Sequence, residues 1–186
     1  MGEIRQHEPV LLILAAFSRH DSAIHWSHAR AEQAWGPVAL KSEQFDFQET
    51  RFYESTMGQG IQKVFFAFEQ LIDPAELVEF KHRTNAWESE FREQGKNDEE
   101  RPLNLDPGYL TEAKLVLATT KDRDHRLYLD RGIFAEVTLS YQSHQWQSLP
   151  WTYPDYRRPD YHQFFTRCRD YLRQRYGRKF PRSRNE

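Results

Sequence analysis

Eight consecutive apolar residues, VLLILAAF at positions 10–17, stand between a polar start and the run Ser18-Arg19-His20-Asp21. A stretch apolar at every position buries both faces of whatever it forms. It is far short of the roughly 20 residues that span a bilayer, and it lacks the flanks of a secretory core. The remaining reading is a strand in the middle of a sheet, covered on both sides. The rest of the chain must then supply strands for both of its edges and layers for both of its faces.

The flanking pattern meets that demand. Ile24, Ala31, Ala34 and Trp35 keep a helical period and predict a helix over 22–35, with Ser18 and Asp21 as candidate caps and Gly36-Pro37 as its stop. Loose alternation predicts a half-exposed strand over 38–47, a polar loop over 48–60 and a second strong strand over 61–68. Asp73, Pro74 and Glu76 have capping-box spacing, and Leu77, Phe80, Thr84, Trp87 and Phe91 follow on one stripe that Gly95 ends. A short strand is expected over 103–105. Strand, helix, strand, strand, helix, strand is the split βαβ order, so the expected fold is α+β and ferredoxin-like, with an antiparallel sheet.

Beyond it, Asp106-Pro107-Gly108 reads as a turn into a short helix over 110–117. A hairpin follows, from 126–129 through Asp130-Arg131-Gly132 to 133–141. Its outgoing strand places Phe134, Glu136, Thr138 and Ser140 on one face and Ile133, Ala135, Val137 and Leu139 on the other. Pro159 opens a last helix with Tyr161, Phe164, Phe165, Cys168 and Leu172 as its stripe and Gly177 as its stop. With no internal repeat, the expectation is one domain over 1–180 and a disordered tail over 181–186. Apolar content is only 38%, so much of the core volume has to come from five Trp, nine Tyr and thirteen Phe.

Charge and cysteine usage narrow the setting. The chain carries a net charge of −2. Positions 157–186 hold ten Lys or Arg against three Asp or Glu, which points either to a polyanionic partner or to a solvated helix face and frayed end. One cysteine allows no internal disulfide and suits a reducing, cytoplasmic compartment. Gln6 stands where a myristoylation signal needs Ser or Thr, so no membrane attachment is expected.

Four segments carry candidate chemistry. In the first, Asn104 and Asp106 end a strand beside Tyr109, and Asp106 is either a base or metal ligand or the opening residue of a turn. The second, Thr119-Thr120-Lys121-Asp122-Arg123-Asp124-His125-Arg126, packs cations, carboxylates and an imidazole into eight residues. Lys121, Arg123 and Arg126 suit phosphate oxygens and His125 suits a proton shuttle, unless these ions merely pair among themselves. In the third, Glu136 and Thr138 matter if their strand face looks onto a cavity, where Glu136 becomes a candidate acid or base, and are inert if it looks onto water. The fourth, Trp151-Thr152-Tyr153-Pro154-Asp155-Tyr156-Arg157, could stack a base or sugar through Trp151 and Tyr153, or pack them on the sheet. His20, His25 and His28 lack the acidic partner of a zinc-protease helix, so no metal site is expected there, and no glycine-rich phosphate loop, dinucleotide fingerprint or nucleophile elbow is present.

Several blocks are similar to a known family: the opening MGEIR, Phe66-Ala67-Phe68-Glu69 with Leu71-Ile72-Asp73-Pro74, Thr84-Asn85, NLDPGYLTEAKLVLATTKDRDHRLYL, GIFAEVTLSY and LPWTYPDYR. On these blocks the chain resembles, over nearly its full length, the bacterial family catalogued as domain of unknown function 4416. The resemblance implies kinship without an established activity. Some relatives carry a GTP-binding label, but here Thr120-Lys121-Asp122 is followed by Arg123, so the guanine-reading Asn/Thr-Lys-x-Asp pattern is not met. Positions in the matching blocks include Asn104, Asp106, Tyr109, Lys114, Lys121, Asp122, His125, Arg126, Glu136 and Thr138, most of which chemistry alone had already singled out.

Three roles fit these residues. The first is binding of a phosphate-bearing ligand, nucleotide or RNA, with Lys114, Lys121, Arg123 and Arg126 on phosphate and Tyr109, Trp151 and Tyr153 stacking a base. The second is a small hydrolase or transferase in which His125 and Glu136 trade a proton and Asp106 orients substrate or metal. The third is an interaction module that docks a protein on an exposed edge strand and basic helix. Cofactor and oligomeric state stay unknown at this level. The phosphate reading leads, and it requires the acidic segment, the cationic stretch and the hairpin carboxylate to meet in one hollow.

Overall fold

A computed structural model of the chain describes residues 3, 6–50 and 53–177. The apolar run forms β1 (Val10–Ser18), buried at all nine positions. Its alternate residues feed two separate cores. Val10, Leu12, Leu14 and Ala16 face one, while Leu11, Ile13 and Ala15 face the other. α1 (Asp21–Trp35), β2 (Val38–Lys41), β3 (Phe45–Asp46), α2 (Glu54–Met57) and β4 (Gln62–Ile72) follow, then a 3-10 turn (Pro74–Glu76) running into α3 (Leu77–Glu93). β5 (Asn104–Leu110), β6 (Lys114–Thr119), β7 (Leu127–Asp130), β8 (Ile133–Gln142), β9 (Gln145–Ser148) and α4 (Pro159–Arg175) complete the described chain.

The strands make one antiparallel sheet in the order β2-β4-β1-β5-β6-β8-β7, with β3 on β4 and β9 on β8. The molecule is thus α+β with an open sheet and a C-terminal helix. α1 and α3 cover one face. Trp35 touches Phe68, Phe80 and Trp87 there, at ring separations of 5.3, 5.1 and 4.7 Å. α4 covers the other face, where Phe65 of β4 meets Phe45, Tyr156, Tyr161, Phe164 and Phe165. Aromatic side chains thus supply the bulk that a low apolar content leaves missing.

Several local expectations hold for the expected physical reasons. Asp73 accepts from Ala75 N–H and Glu76 accepts from Asp73 N–H, closing the capping box. The stripes of α3 and α4 are buried as their spacing predicts. The basic C-terminal segment, as far as it is described, is fastened to its own body. Arg169 donates to the Glu112 carbonyl, Arg175 to the Glu69 carbonyl, and Arg158 pairs with Asp160 and Glu49. The tail expected over 181–186 lies outside the described residues. Among the described residues no helix is long and apolar enough to cross a membrane.

Other expectations need correction. Neither Ser18 nor Asp21 caps α1 through its side chain; Ser18 Oγ accepts from His20 N–H and donates to the Pro102 carbonyl. The strand expected over 38–47 is broken, because Ser42 Oγ accepts from Phe65 N–H and interrupts the pairing. The loop over 48–60 contains α2, and the hairpin partner β9 gave no advance signal.

The largest correction concerns Asp106-Pro107-Gly108. It is no turn, and no helix follows it; the segment lies inside β5, and 114–119 is a strand. Gly108 φ is not in the left-handed region. Its role is close approach, since a Cβ there would lie 2.4 Å from the Val116 carbonyl oxygen and 2.7 Å from Leu117 Cδ2. Pro107 has no N–H to give a ladder. The β5–β6 pairing runs only from Gly108↔Leu117 to Leu110↔Leu115, so it stops where the proline begins. Gly108→Ala is therefore expected to force β5 and β6 apart and cost about 3 kcal/mol or more. Urea unfolding measures this, and a loss below about 0.5 kcal/mol contradicts it.

Candidate functional site

Where β5 and β6 part, a cavity of about 470 Å³ opens. Asn104 and Asp106 line it from β5, and Leu117, Ala118 and Thr119 from β6. The loop after β6 adds Thr120, Lys121, Arg123 and Arg126, and the segment before α4 adds Tyr153, Pro154, Asp155 and Tyr156. Phe17, Phe47, Thr50, Tyr53, Lys63 and Arg101 complete the wall. Five cations and two carboxylates thus line one hollow, an excess of three positive charges on its surface.

Two ion pairs build the floor, one buried on both sides and one with a part-exposed carboxylate. Lys63 Nζ lies 2.7 Å from Asp155 Oδ2, and both side chains are almost fully buried. Aromatic rings surround that ammonium, with Tyr156 at 4.3 Å and Phe17 at 4.9 Å. Lys81 reaches in from α3, donating to the Leu105 carbonyl at 3.0 Å and to Asp106 Oδ1 at 3.1 Å. Asn104 Nδ2 donates to the other Asp106 oxygen at 2.9 Å. Burial pushes the Asp106 carboxyl up, but Lys81 and then Lys63 outweigh it and hold it below the usual Asp range. Burial lifts the Tyr53 phenol to about 12, and it raises those of Tyr153 and Tyr156 as well. All three therefore stay neutral near physiological pH. The Tyr156 hydroxyl is buried and has no hydrogen-bond partner among the described residues.

Arg126 forms the side wall and is held at three points. Nε donates to Glu136 Oε2 at 2.8 Å, Nη1 to the Lys121 carbonyl at 2.9 Å and Nη2 to the Tyr153 hydroxyl at 2.7 Å. Glu136 is buried, as is Thr138, whose hydroxyl donates to Glu136 Oε1 at 3.2 Å. The polar face of β8 therefore looks inward, not onto water. His125 Nε2 lies 3.1 Å from Glu136 Oε2, and its ring stacks on Trp151 at 5.1 Å. Trp151 Nε1 donates to the Val137 carbonyl, which places that indole on the outside of the sheet.

The candidate residues divide accordingly. Asn104, Asp106, Lys121, Arg123, Arg126 and Tyr153 line one cavity. His125, Glu136 and Thr138 stand behind Arg126 and set its position, and neither His125 nor Glu136 is part of the lining. Asp122 is exposed and outside the lining, and Trp151 reaches the site only through His125. Tyr109 packs against the α3 side of the sheet, and Lys114 begins β6, at the end of that strand away from Thr119. The three histidines of the N-terminal half do not converge: His20 pairs with Glu99, His25 bonds the Asp21 carbonyl and His28 stacks on Phe66.

Lys63, Lys81, Glu88 and Arg101 escaped sequence reasoning, and Asp155, though inside the fourth candidate segment, drew no role of its own. Two of them had a signal: Lys63 interrupts an apolar strand, and Lys81 falls on the buried stripe of α3, four residues after Leu77. Glu88 accepts from Leu105 N–H at 2.7 Å and from Arg101 Nη2 at 3.1 Å, tying α3 to the start of β5 and to the cavity rim. Burial raises its carboxyl above the unfolded value of 4.5, more than Lys81 and Arg101 lower it. Its stabilising protonated form is complete below pH 4.5 and is lost as pH rises through the folded value. Glu88→Gln, fixed in the neutral form, is expected to gain thermal stability relative to wild type as pH rises from about 4 to about 8. A melting-temperature difference constant over that window contradicts it.

No curated protein and no solved structure matches the chain. One family does. The model described as Domain of unknown function (DUF4416) matches residues 8–171, a span that takes in all nine strands and every residue lining the cavity. The chain belongs to the DUF4416 family.

Proposed function

We propose that this protein binds a phosphate-bearing ligand, a nucleotide or the end of an RNA strand, in the wedge between β5 and β6. The carrying observation is the cation excess inside one cavity of small-ligand size. Both lining carboxylates are already engaged, Asp106 by Lys81 and Asn104, and Asp155 by Lys63. Arg123 has no carboxylate partner among the described residues, and Lys121 stands two residues from it on the same rim. Guanidinium and ammonium groups in this arrangement suit the several oxygens of a phosphate. Tyr53 and Tyr153, both only partly buried, offer aromatic surface for a base on the same lining.

An acid–base role for His125 and Glu136 has less support. Glu136 spends its oxygens on Arg126, Thr138 and His125, and neither residue lines the cavity. Both are better read as positioning Arg126. The order β2-β4-β1-β5, with α1 and α3 packed on one face, supports a ferredoxin-like core to which the β6–β9 strands and α4 are added. Cys168, sealed inside α4, is in keeping with a reducing, cytoplasmic setting.

Lys121→Ala with Arg123→Ala removes two cations from the rim of the cavity. Each lost charged hydrogen bond is expected to weaken nucleotide affinity about tenfold. Isothermal titration with the common nucleoside 5′-monophosphates tests this at about 50 and 200 mM salt. Wild-type affinity is expected to fall with salt, and the double variant to bind weakly at both concentrations. Equal affinities in wild type and double variant refute the proposal.

A further inference from the structure

The hollow does not end at Arg101. A second one, of about 490 Å³, shares Tyr53, Arg101 and Lys121 with the first as common lining. Ser55 and Thr56 of α2, Glu88, Ser89 and Arg92 of α3, and the irregular segment 100–103 leading into β5 make its other walls. Each hollow alone has the volume of a complete small-ligand site. Arg101 is fixed where they meet, its N–H donating to the Thr56 carbonyl at 2.9 Å and its guanidinium to Glu88 at 3.1 Å.

The two hollows differ in character. The first has most of the aromatic rings. The second has Tyr53 from the shared wall and is otherwise lined mainly by hydroxyls and charged groups, with Arg92 lacking a carboxylate partner among the described residues. Cations therefore recur along one path: Arg123 in the first hollow, Arg101 and Lys121 on the common wall, Arg92 in the second. Phosphates spaced by sugars match such a series, whereas a lone mononucleotide uses only its first part.

We infer that the ligand is two nucleotide units joined by a phosphodiester, with the bridging phosphate at Arg101 and Lys121. This rests on the phosphate-ligand reading above. The first unit stacks on the partly exposed rings of Tyr53 and Tyr153 with its terminal phosphate toward Arg123. The second places its sugar and base edge against Ser55, Ser89 and Arg92. The same chemistry is presented by a free linear dinucleotide and by the end of a single-stranded RNA.

Titration calorimetry on the full chain tests this with four probe sets: the nucleoside 5′-monophosphates, the nucleoside 5′-diphosphates, the 5′-phosphorylated homodinucleotides and eight-nucleotide homopolymers of RNA. The best dinucleotide is expected to bind at least about tenfold tighter than the matching mono- and diphosphates. In Arg92→Ala that ratio is expected to fall to near one. An octamer tighter than the dinucleotide assigns the source to an RNA strand, and equal affinity assigns it to the dinucleotide. Mononucleotide or diphosphate binding as tight as that of the dinucleotide overturns the two-unit inference while leaving the phosphate reading intact. Absence of binding by all four sets overturns both.

Discussion

The site depends on a ladder that stops early. β5 and β6 pair closely only from Gly108 to Leu110, where the absence of a Cβ lets the two backbones approach. One residue before, Pro107 offers no N–H, and the strands part. Asn104, Asp106 and the Leu117–Thr119 end of β6 then face a hollow that two paired strands would have closed. A single dipeptide thus converts the middle of a continuous sheet into a cavity. The aromatic cores on both faces keep the rest of the sheet from collapsing into it.

An opening of that kind in a protein interior has to be propped, and here the props are ionic. Lys63 with Asp155 and Lys81 with Asp106 join segments 92 and 25 residues apart, and Arg126 with Glu136 closes across the hairpin. Taking such pairs out of water costs more than well-packed apolar residues would, so they are poor devices for stability alone. What they provide is geometry. α3 is tied to β5, the segment before α4 to β4, and the cationic loop to β8, so the cavity walls are fixed before any ligand arrives. Preformed walls spare a ligand the cost of ordering them.

Patterns that answer to local physics were legible in the sequence. The apolar run fits a covered strand best, and β1 is buried on both faces. The Asp73 box and the stripes of α3 and α4 follow from helix geometry alone. Asp106-Pro107-Gly108 was misread because proline and glycine have two uses, ending a strand in a turn or shaping it from within, and only the neighbouring strand decides between them. Likewise the alternation of β8 separated Glu136 and Thr138 from Val137 and Leu139, but which face met water depended on Arg126 and the loop above. Lys63 and Asp155 are 92 residues apart, and nothing local announces that they meet. Of the three parts required to meet, the acidic segment and the cationic stretch share one hollow, whereas Glu136 and His125 stand behind its wall and do not reach its surface.

The central claim is that the splayed end of β5 and β6 is where an anion settles. Amide chemical-shift mapping during titration with a nucleoside monophosphate tests it most directly. Shifts are predicted to concentrate at Asn104, Leu105 and Asp106 and from Leu117 through Arg123, leaving Lys114 and the exposed strand β7 unmoved. Shifts clustered on β7 or along α4, with the β5–β6 wedge silent, contradict it.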